Sequence, residues 1–282
     1  MARLTRFAPS PTGPLHLGHA YAALVAAMRG ERMLLRLEDI DSARCRPEWE
    51  AAIYRDLGWL GLTWPEPVLR QSGRLPAYRA ALDRLGAMGL SYFCTCTRGD
   101  IRAALSAPQE GAAPMIGPPM IGPDGPVYPG TCRRAGHAAG ALRLDMAAAM
   151  ARIGGEIRFH DSGTKPGLHR FDSARMVETI GDIVLARRDI GTSYHVAVVV
   201  DDAAQGITEV TRGEDLFEAT AIHVLLQRLL DLPVPLYHHH RLIRDEDGKR
   251  LAKRDDARAL ALYRAQGATP RDIRRLLDLP ER

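Results

Sequence analysis

The stretch RFAPSPTGPLHLGH, residues 6–19, constrains this chain more than any other. Pro9, Pro11, Gly13 and Pro14 forbid regular structure, because proline lacks a backbone N–H and glycine favours turns. The residues before it, 3–8, read as a short strand. After it, Leu17, Ala20, Tyr21, Leu24, Val25 and Met28 recur at helical spacing to about Arg29, and Gly30 suits the C-terminal cap. A strand feeding a loop and then a helix N-terminus is the anion-binding corner of a doubly wound fold. The first N–H groups and the helix dipole both attract negative charge there.

This corner lacks the G-x-G-x-x-G fingerprint, and the chain has no G-x-x-x-x-G-K-[ST] loop. It carries His16 and His19 instead, on one face of the first helical turn. Gly18 between them lets a ligand approach the backbone closely. Two imidazoles over a helix N-terminus can hold a nucleotide phosphate and the charge that develops on it. An isolated H-x-x-H also suits a helix cap or a metal pair, but the H-E-x-x-H pattern is absent.

Residues 33–37 predict a second strand, ending at Glu38-Asp39-Ile40-Asp41. Pro47 opens a helix to about Leu60, residues 74–89 predict another helix, and residues 91–93 a strand. That alternation predicts a parallel sheet with crossover helices. Residues 106–131 are rich in Pro and Gly and hold PMIGP twice, at 114–118 and 119–123, which suits a loop. Residues 141–180 show weak periodicity. The α/β character returns at 182–189, and YHVAVVVDD, 194–202, reads as a buried parallel strand. A helix over 214–231 and two short basic helices, 256–266 and 270–278, complete the reading. The expected fold is α/β, a doubly wound parallel sheet in two halves, 1–95 and 182–254. A mixed insertion fills 96–181, and a helical segment spans 255–282.

The 46% hydrophobic and 26% charged content is that of a soluble globular protein. No long apolar run predicts a transmembrane helix, and no signal-like segment opens the chain, so the cytoplasm is expected. A net charge of +4 permits a nucleic-acid partner without demanding one. Four cysteines do not suggest a disulfide framework. Cys94 and Cys96 are too close for an ordinary bridge. With Cys132 they offer three thiolates to a tetrahedral structural zinc, and chemistry alone favours His137 as the fourth ligand. Cys45 reads as a bystander.

The opening stretch resembles the first signature of class I aminoacyl-tRNA synthetases, in the form used by glutamyl and glutaminyl enzymes. His16-Leu17-Gly18-His19 stands where that signature ends. Arg250-Leu251-Ala252-Lys253-Arg254 is similar to the second signature, KMSKS. Arg250 replaces its first Lys and Ala252 its Ser, while Lys253 is retained. The resemblance implies a Rossmann-type catalytic domain that binds ATP, with Mg²⁺, through His16, Gly18, His19 and Lys253. It makes His16, His19 and Lys253 the catalytic set. It further implies glutamate contacts at Arg6, Ser10, Glu38, Tyr194 and Arg212.

The spacing of Cys94, Cys96, Tyr128 and Cys132 resembles the short members of the glutamyl group, which implies Tyr128 as the fourth zinc ligand. Only 29 residues follow Lys253, too few for the separate anticodon-binding domain of longer members. The short members activate L-glutamate as its adenylate and transfer it to queuosine in the anticodon of tRNA(Asp). That reaction is expected here, from a monomer. Arg264, Arg271, Arg274 and Arg275 would help hold the tRNA anticodon stem-loop. Two other readings stay open: a compact glutamyl-tRNA synthetase charging a tRNA 3′ end, and an inactive paralogue that binds tRNA or nucleotide.

Overall fold

A computed structural model describes residues 2–106, 120–244 and 258–281. Lys253, the rest of the second signature and most of the PMIGP duplication lie outside the described residues. The first half runs β1 (Leu4–Phe7), α1 (Leu17–Arg29), β2 (Arg32–Leu37), α2 (Pro47–Trp59), β3 (Leu69–Arg70) and α3 (Leu75–Ala87). Next come β4 (Ser91–Cys94), α4 (Arg98–Ser106), a hairpin of β5 (Ile121–Gly122) and β6 (Gly125–Pro126), and β7 (Ala141–Leu144). Then follow α5 (Met146–Ile153), β8 (Ile157–Asp161), β9 (Gly167–Phe171), a single turn α6 (Ser173–Arg175) and β10 (Val184–Ala186). The chain continues through α7 (Tyr194–Ala204), β11 (Glu209–Gly213), α8 (Ala219–Leu229), β12 (Leu236–His240), α9 (Leu260–Ala265) and α10 (Pro270–Leu276).

β1, β2 and β3 form a parallel sheet, with Leu4 opposite Arg32 and Arg36 opposite Leu69. The predicted strand at 91–93 is present but does not extend this sheet. As β4 it pairs antiparallel with β7, which pairs antiparallel with β10. The short β3 takes its place. The second half of the parallel sheet is β11-β12-β8, with β9 antiparallel at the edge. The stretch 96–181, expected as an insertion, therefore also supplies two strands of this sheet.

YHVAVVVDD is a helix, α7, and not a strand. A short apolar run fits a buried helix and a buried strand equally well by periodicity. Here Ser193 decides locally, because its side chain caps the helix by accepting the Val196 N–H. The helical form also suits the two aspartates that end the run. Asp201 takes Arg74, Gln71 and Tyr78, while Asp202 takes Arg6 and Arg36.

The two halves meet where β1 lies beside β11. Thr208 N–H donates to Leu4 O at 3.0 Å, and Leu4 N–H donates to Thr208 Oγ1 at 2.8 Å. From β1 the chain crosses by α1 to β2, and from β11 it crosses by α8 to β12 on the other side. This reversal is the topological switch point of a doubly wound sheet, and ligands collect at the strand C-termini there. α9 and α10 pack on the first half, burying Leu260 and Ile273 against Leu24, Leu35 and Leu57. Gly30 does end α1, but for space and not for a left-handed turn. Its φ is −89°, and a Cβ would stand 2.5 Å from Thr5 Oγ1.

Candidate active site

His16 caps α1. Its Nδ1 accepts the Gly18 N–H at 3.1 Å, and His19 Nδ1 accepts the His16 N–H at 3.2 Å. Both rings use Nδ1 as an acceptor, so each neutral imidazole carries its proton on Nε2. The ring centroids lie 3.9 Å apart, and a Cβ on Gly18 would come within 3.0 Å of the His16 ring. The prolines thus deliver two adjacent N–H donors to a helix N-terminus. The chain returns to this corner after 257, where Leu260 N–H donates to Leu15 O at 2.8 Å and Ala259 bridges His16.

A cleft of about 900 Å³ opens at the switch point. Ser10, Glu38 and Tyr194 line it. The other two expected glutamate contacts, Arg6 and Arg212, are buried in β1 and β11 and do not line it. His16 and His19 stand at the α1 corner, also outside the cleft lining.

Arg6 Nε bonds Asp202 at 3.0 Å, and Arg36 Nη1 bonds the same oxygen at 2.7 Å. Arg36 also reaches Glu38 at 3.4 Å. Burial pushes the Glu38 carboxyl above its ordinary range, against the pull of Arg36 and Arg6. Burial acts upward on Asp202 too, but the two guanidiniums prevail and hold it low.

Arg212 differs from Arg6 and Arg36, for its bonded partners among the described residues are neutral. They are His223 Nδ1 at 2.8 Å, Thr220 Oγ1 at 2.7 Å and His239 Nε2 at 3.3 Å. The Tyr194 ring packs edge-on to His223, with centroids 5.6 Å apart.

The sequence reading missed Arg36, Asp202, His223 and His239. Arg36 was within reach, since Glu38, just past the end of β2, follows it at the two-residue spacing by which an extended chain returns side chains to one face. The Asp pair closing YHVAVVVDD pointed to Asp202 only once that run is a helix.

The three sulfurs of Cys94, Cys96 and Cys132 lie within 4.8 Å of one another. Tyr128 Oη stands 3.3 Å from Cys94 Sγ and 3.4 Å from Cys96 Sγ. Tetrahedral zinc with S and O ligands sets its ligand atoms about 3.5–3.8 Å apart, so this donor set fits zinc. His137, favoured by chemistry alone, instead places Nε2 3.2 Å from Thr95 Oγ1 at an exposed position. Burial pushes the Cys96 thiol up. Cys132 feels the same burial, yet hydrogen bonds from Tyr128 and the Thr95 backbone hold it down at about 5. The cluster is joined to the cleft. Tyr128 and Asp182 both line the cleft, and Asp182 accepts from Arg133 at 2.8 Å and from Tyr92 at 2.5 Å.

The four C-terminal arginines are engaged within the chain. Arg264 bonds Asp56 at 2.7 Å, Arg271 and Arg275 bond Glu281, and Arg274 reaches Pro280 O at 3.4 Å. Among the described residues, no helix is long and apolar enough to cross a membrane.

Residues 3–115 and 169–279 match the family described as tRNA synthetases class I (E and Q), catalytic domain. A protein of Rhodobacter capsulatus named glutamyl-Q tRNA(Asp) synthetase is 60% identical over 290 residues, spanning 98% of this chain and 100% of the relative. A Nocardia farcinica protein of the same name is 42% identical over 276 residues, covering 96% of this chain and 82% of its own. A glutamate tRNA ligase from Elizabethkingia meningosepticum, solved in complex with its amino acid, superposes with a TM-score of 0.69 at 28% identity. That match covers 90% of this chain, which spans about half of the ligase, 52%.

Proposed function

This chain belongs to the class I tRNA synthetases of the glutamate and glutamine type, and from that premise we propose that it activates L-glutamate with ATP and transfers it to queuosine in the anticodon of tRNA(Asp). One observation carries the glutamate assignment. The switch-point cleft exposes a carboxylate, Glu38, suited to an ammonium, and the adjoining wall buries Arg212 among neutral acceptors, a cation suited to a carboxylate. The two relatives' names carry the queuosine assignment.

In the first step a carboxylate oxygen of glutamate attacks the ATP α-phosphorus, and the bond to pyrophosphate breaks. Negative charge moves onto phosphoryl oxygens, so positioned donors do most of the work. The Nε2–H groups of His16 and His19 are those donors, and Lys253 adds a positive charge. Mg²⁺ accompanies ATP. Glu38 receives the substrate ammonium, while Ser10, Tyr194, Arg6 and Arg212 complete the amino-acid site. In the second step an acceptor hydroxyl attacks the glutamyl carbonyl and AMP leaves. Cys94, Cys96, Tyr128 and Cys132 would hold one zinc ion, whose role is to order the corner that Arg133 and Asp182 tie to the cleft. A monomeric, cytoplasmic enzyme that also uses its C-terminal arginines on tRNA belongs to the same proposal.

Glutamate-dependent ATP–pyrophosphate exchange without tRNA tests the first step. Exchange is expected with glutamate and not with glutamine or aspartate. No exchange under any condition would favour a protein that binds nucleotide or tRNA without catalysis.

A further inference from the structure

Arginine only donates hydrogen bonds, so every partner of Arg212 must accept. Nη1 meets His223 Nδ1 at 2.8 Å, which places the His223 proton on Nε2, pointing at His195 Nδ1 3.0 Å away. Nε meets His239 Nε2 at 3.3 Å, which places that ring's proton on Nδ1, where Asp161 Oδ1 accepts it at 2.9 Å. Nη2 donates to Thr220 Oγ1 at 2.7 Å. One guanidinium is thereby held along three edges, and each bond fixes a tautomer or a rotamer behind it. Burial, with Arg212 adding to it, keeps both imidazoles neutral, His223 well below its ordinary value and His239 at about 4.

The support continues into the backbone. Asp161 also accepts the amides of His239 at 2.9 Å, Gly163 at 3.2 Å and Lys165 at 3.3 Å. A Cβ at Gly163 would fall 1.9 Å from the His239 carbonyl oxygen, and Thr164 N–H donates to that oxygen at 2.7 Å. The loop after β8 therefore presses on β12 at the residue that supports Arg212. Arg6 and Arg36 are treated differently, since both bond the carboxylate of Asp202 directly. Behind Arg212, the carboxylate of Asp161 is set one imidazole away. The guanidinium is oriented without being neutralised.

We infer that His223 and the Asp161–His239 pair are positioning residues, which lock the Arg212 guanidinium in the plane where it meets a substrate carboxylate. This rests on the reading of Arg212 as a glutamate contact. The two rings offer matched tests, because asparagine reproduces the Nδ1 position of histidine and glutamine its Nε2 position. His223→Asn keeps the acceptor that Arg212 uses, and His223→Gln loses it. For His239 the order reverses: His239→Gln keeps the acceptor, and His239→Asn loses it.

The measurement is the KM for glutamate and for ATP in pyrophosphate exchange, with Arg212→Gln as reference and thermal unfolding on every variant. His223→Gln and His239→Asn should raise the glutamate KM roughly 10–100-fold, as expected for losing a charged hydrogen bond, and leave the ATP KM unchanged. His223→Asn and His239→Gln should restore most of the loss. Either ring suffices, so a variant that fails to fold leaves the other pair to decide. Equal losses within each pair, or parallel rises in both KM values, would overturn the inference. If Arg212→Gln raises the glutamate KM and the two acceptor-losing variants do not, positioning alone fails. If Arg212→Gln itself leaves that KM unchanged, the carboxylate reading fails and positioning falls with it.

Discussion

At the residue scale, the site rests on charges that are buried or half-buried and unequal in their partners. Glu38 is the clearest case. Its carboxyl is raised by burial, so as pH falls it takes up a proton above the ordinary carboxylate value of about 4.3. In the role proposed for Glu38, only the ionised form attracts the substrate ammonium. The kcat/KM for glutamate should therefore fall on the acid side at a pH above that value. Glu38→Gln should lower kcat/KM and flatten that limb, and a pH–rate profile of both proteins reads it directly. Asp202 makes the opposite contribution, neutralising Arg6 and Arg36 together. Asp202→Asn leaves two buried cations short of a counter-charge and should cost about 3–5 kcal/mol in urea unfolding. The separation of these residues explains why the pairing was not legible. Asp202 stands 166 positions from Arg36, and nothing local to either reports the other.

At the element scale, what was legible followed from backbone chemistry. Three prolines and a glycine can only interrupt a strand and a helix, so β1, the corner and α1 fell where expected. The Cys94–Cys96 pair and the Tyr128–Cys132 spacing likewise anticipated a cluster that the fold assembles. β11 and β12 were illegible for a physical reason. EVTRG and LYHHH bury Glu209, Thr211, Arg212, His239 and His240, with Val210 the single buried aliphatic residue in the two strands, so they lack a strand's apolar pattern. α7 was misread because its Val and Ala run is buried nearly all round. Its cap offers a simple check: Ser193→Ala should cost about 1 kcal/mol, read from thermal or urea unfolding. The cysteine cluster offers another. Metal analysis of the purified protein should find one zinc per chain. Cys132→Ser should abolish it, Tyr128→Phe should weaken it, and His137→Ala should leave it unchanged.

At the scale of the whole molecule, the switch point gives the account its unity. β1 and β11 diverge there, and the proposed glutamate contacts, the α1 corner proposed for phosphate and the buried Asp202 hub all gather around that divergence. The cysteine cluster reaches the same cleft through Tyr128 and Asp182, so one cleft joins that cluster to the proposed amino-acid site. The acceptor is the central claim. Labelled glutamate, ATP and the enzyme should be incubated with tRNA(Asp) that carries queuosine and with the same tRNA lacking it. Label is predicted on the queuosine-bearing tRNA alone, and it should survive removal of the tRNA 3′ end. Label on both tRNAs, or label lost with the 3′ end, would contradict the account.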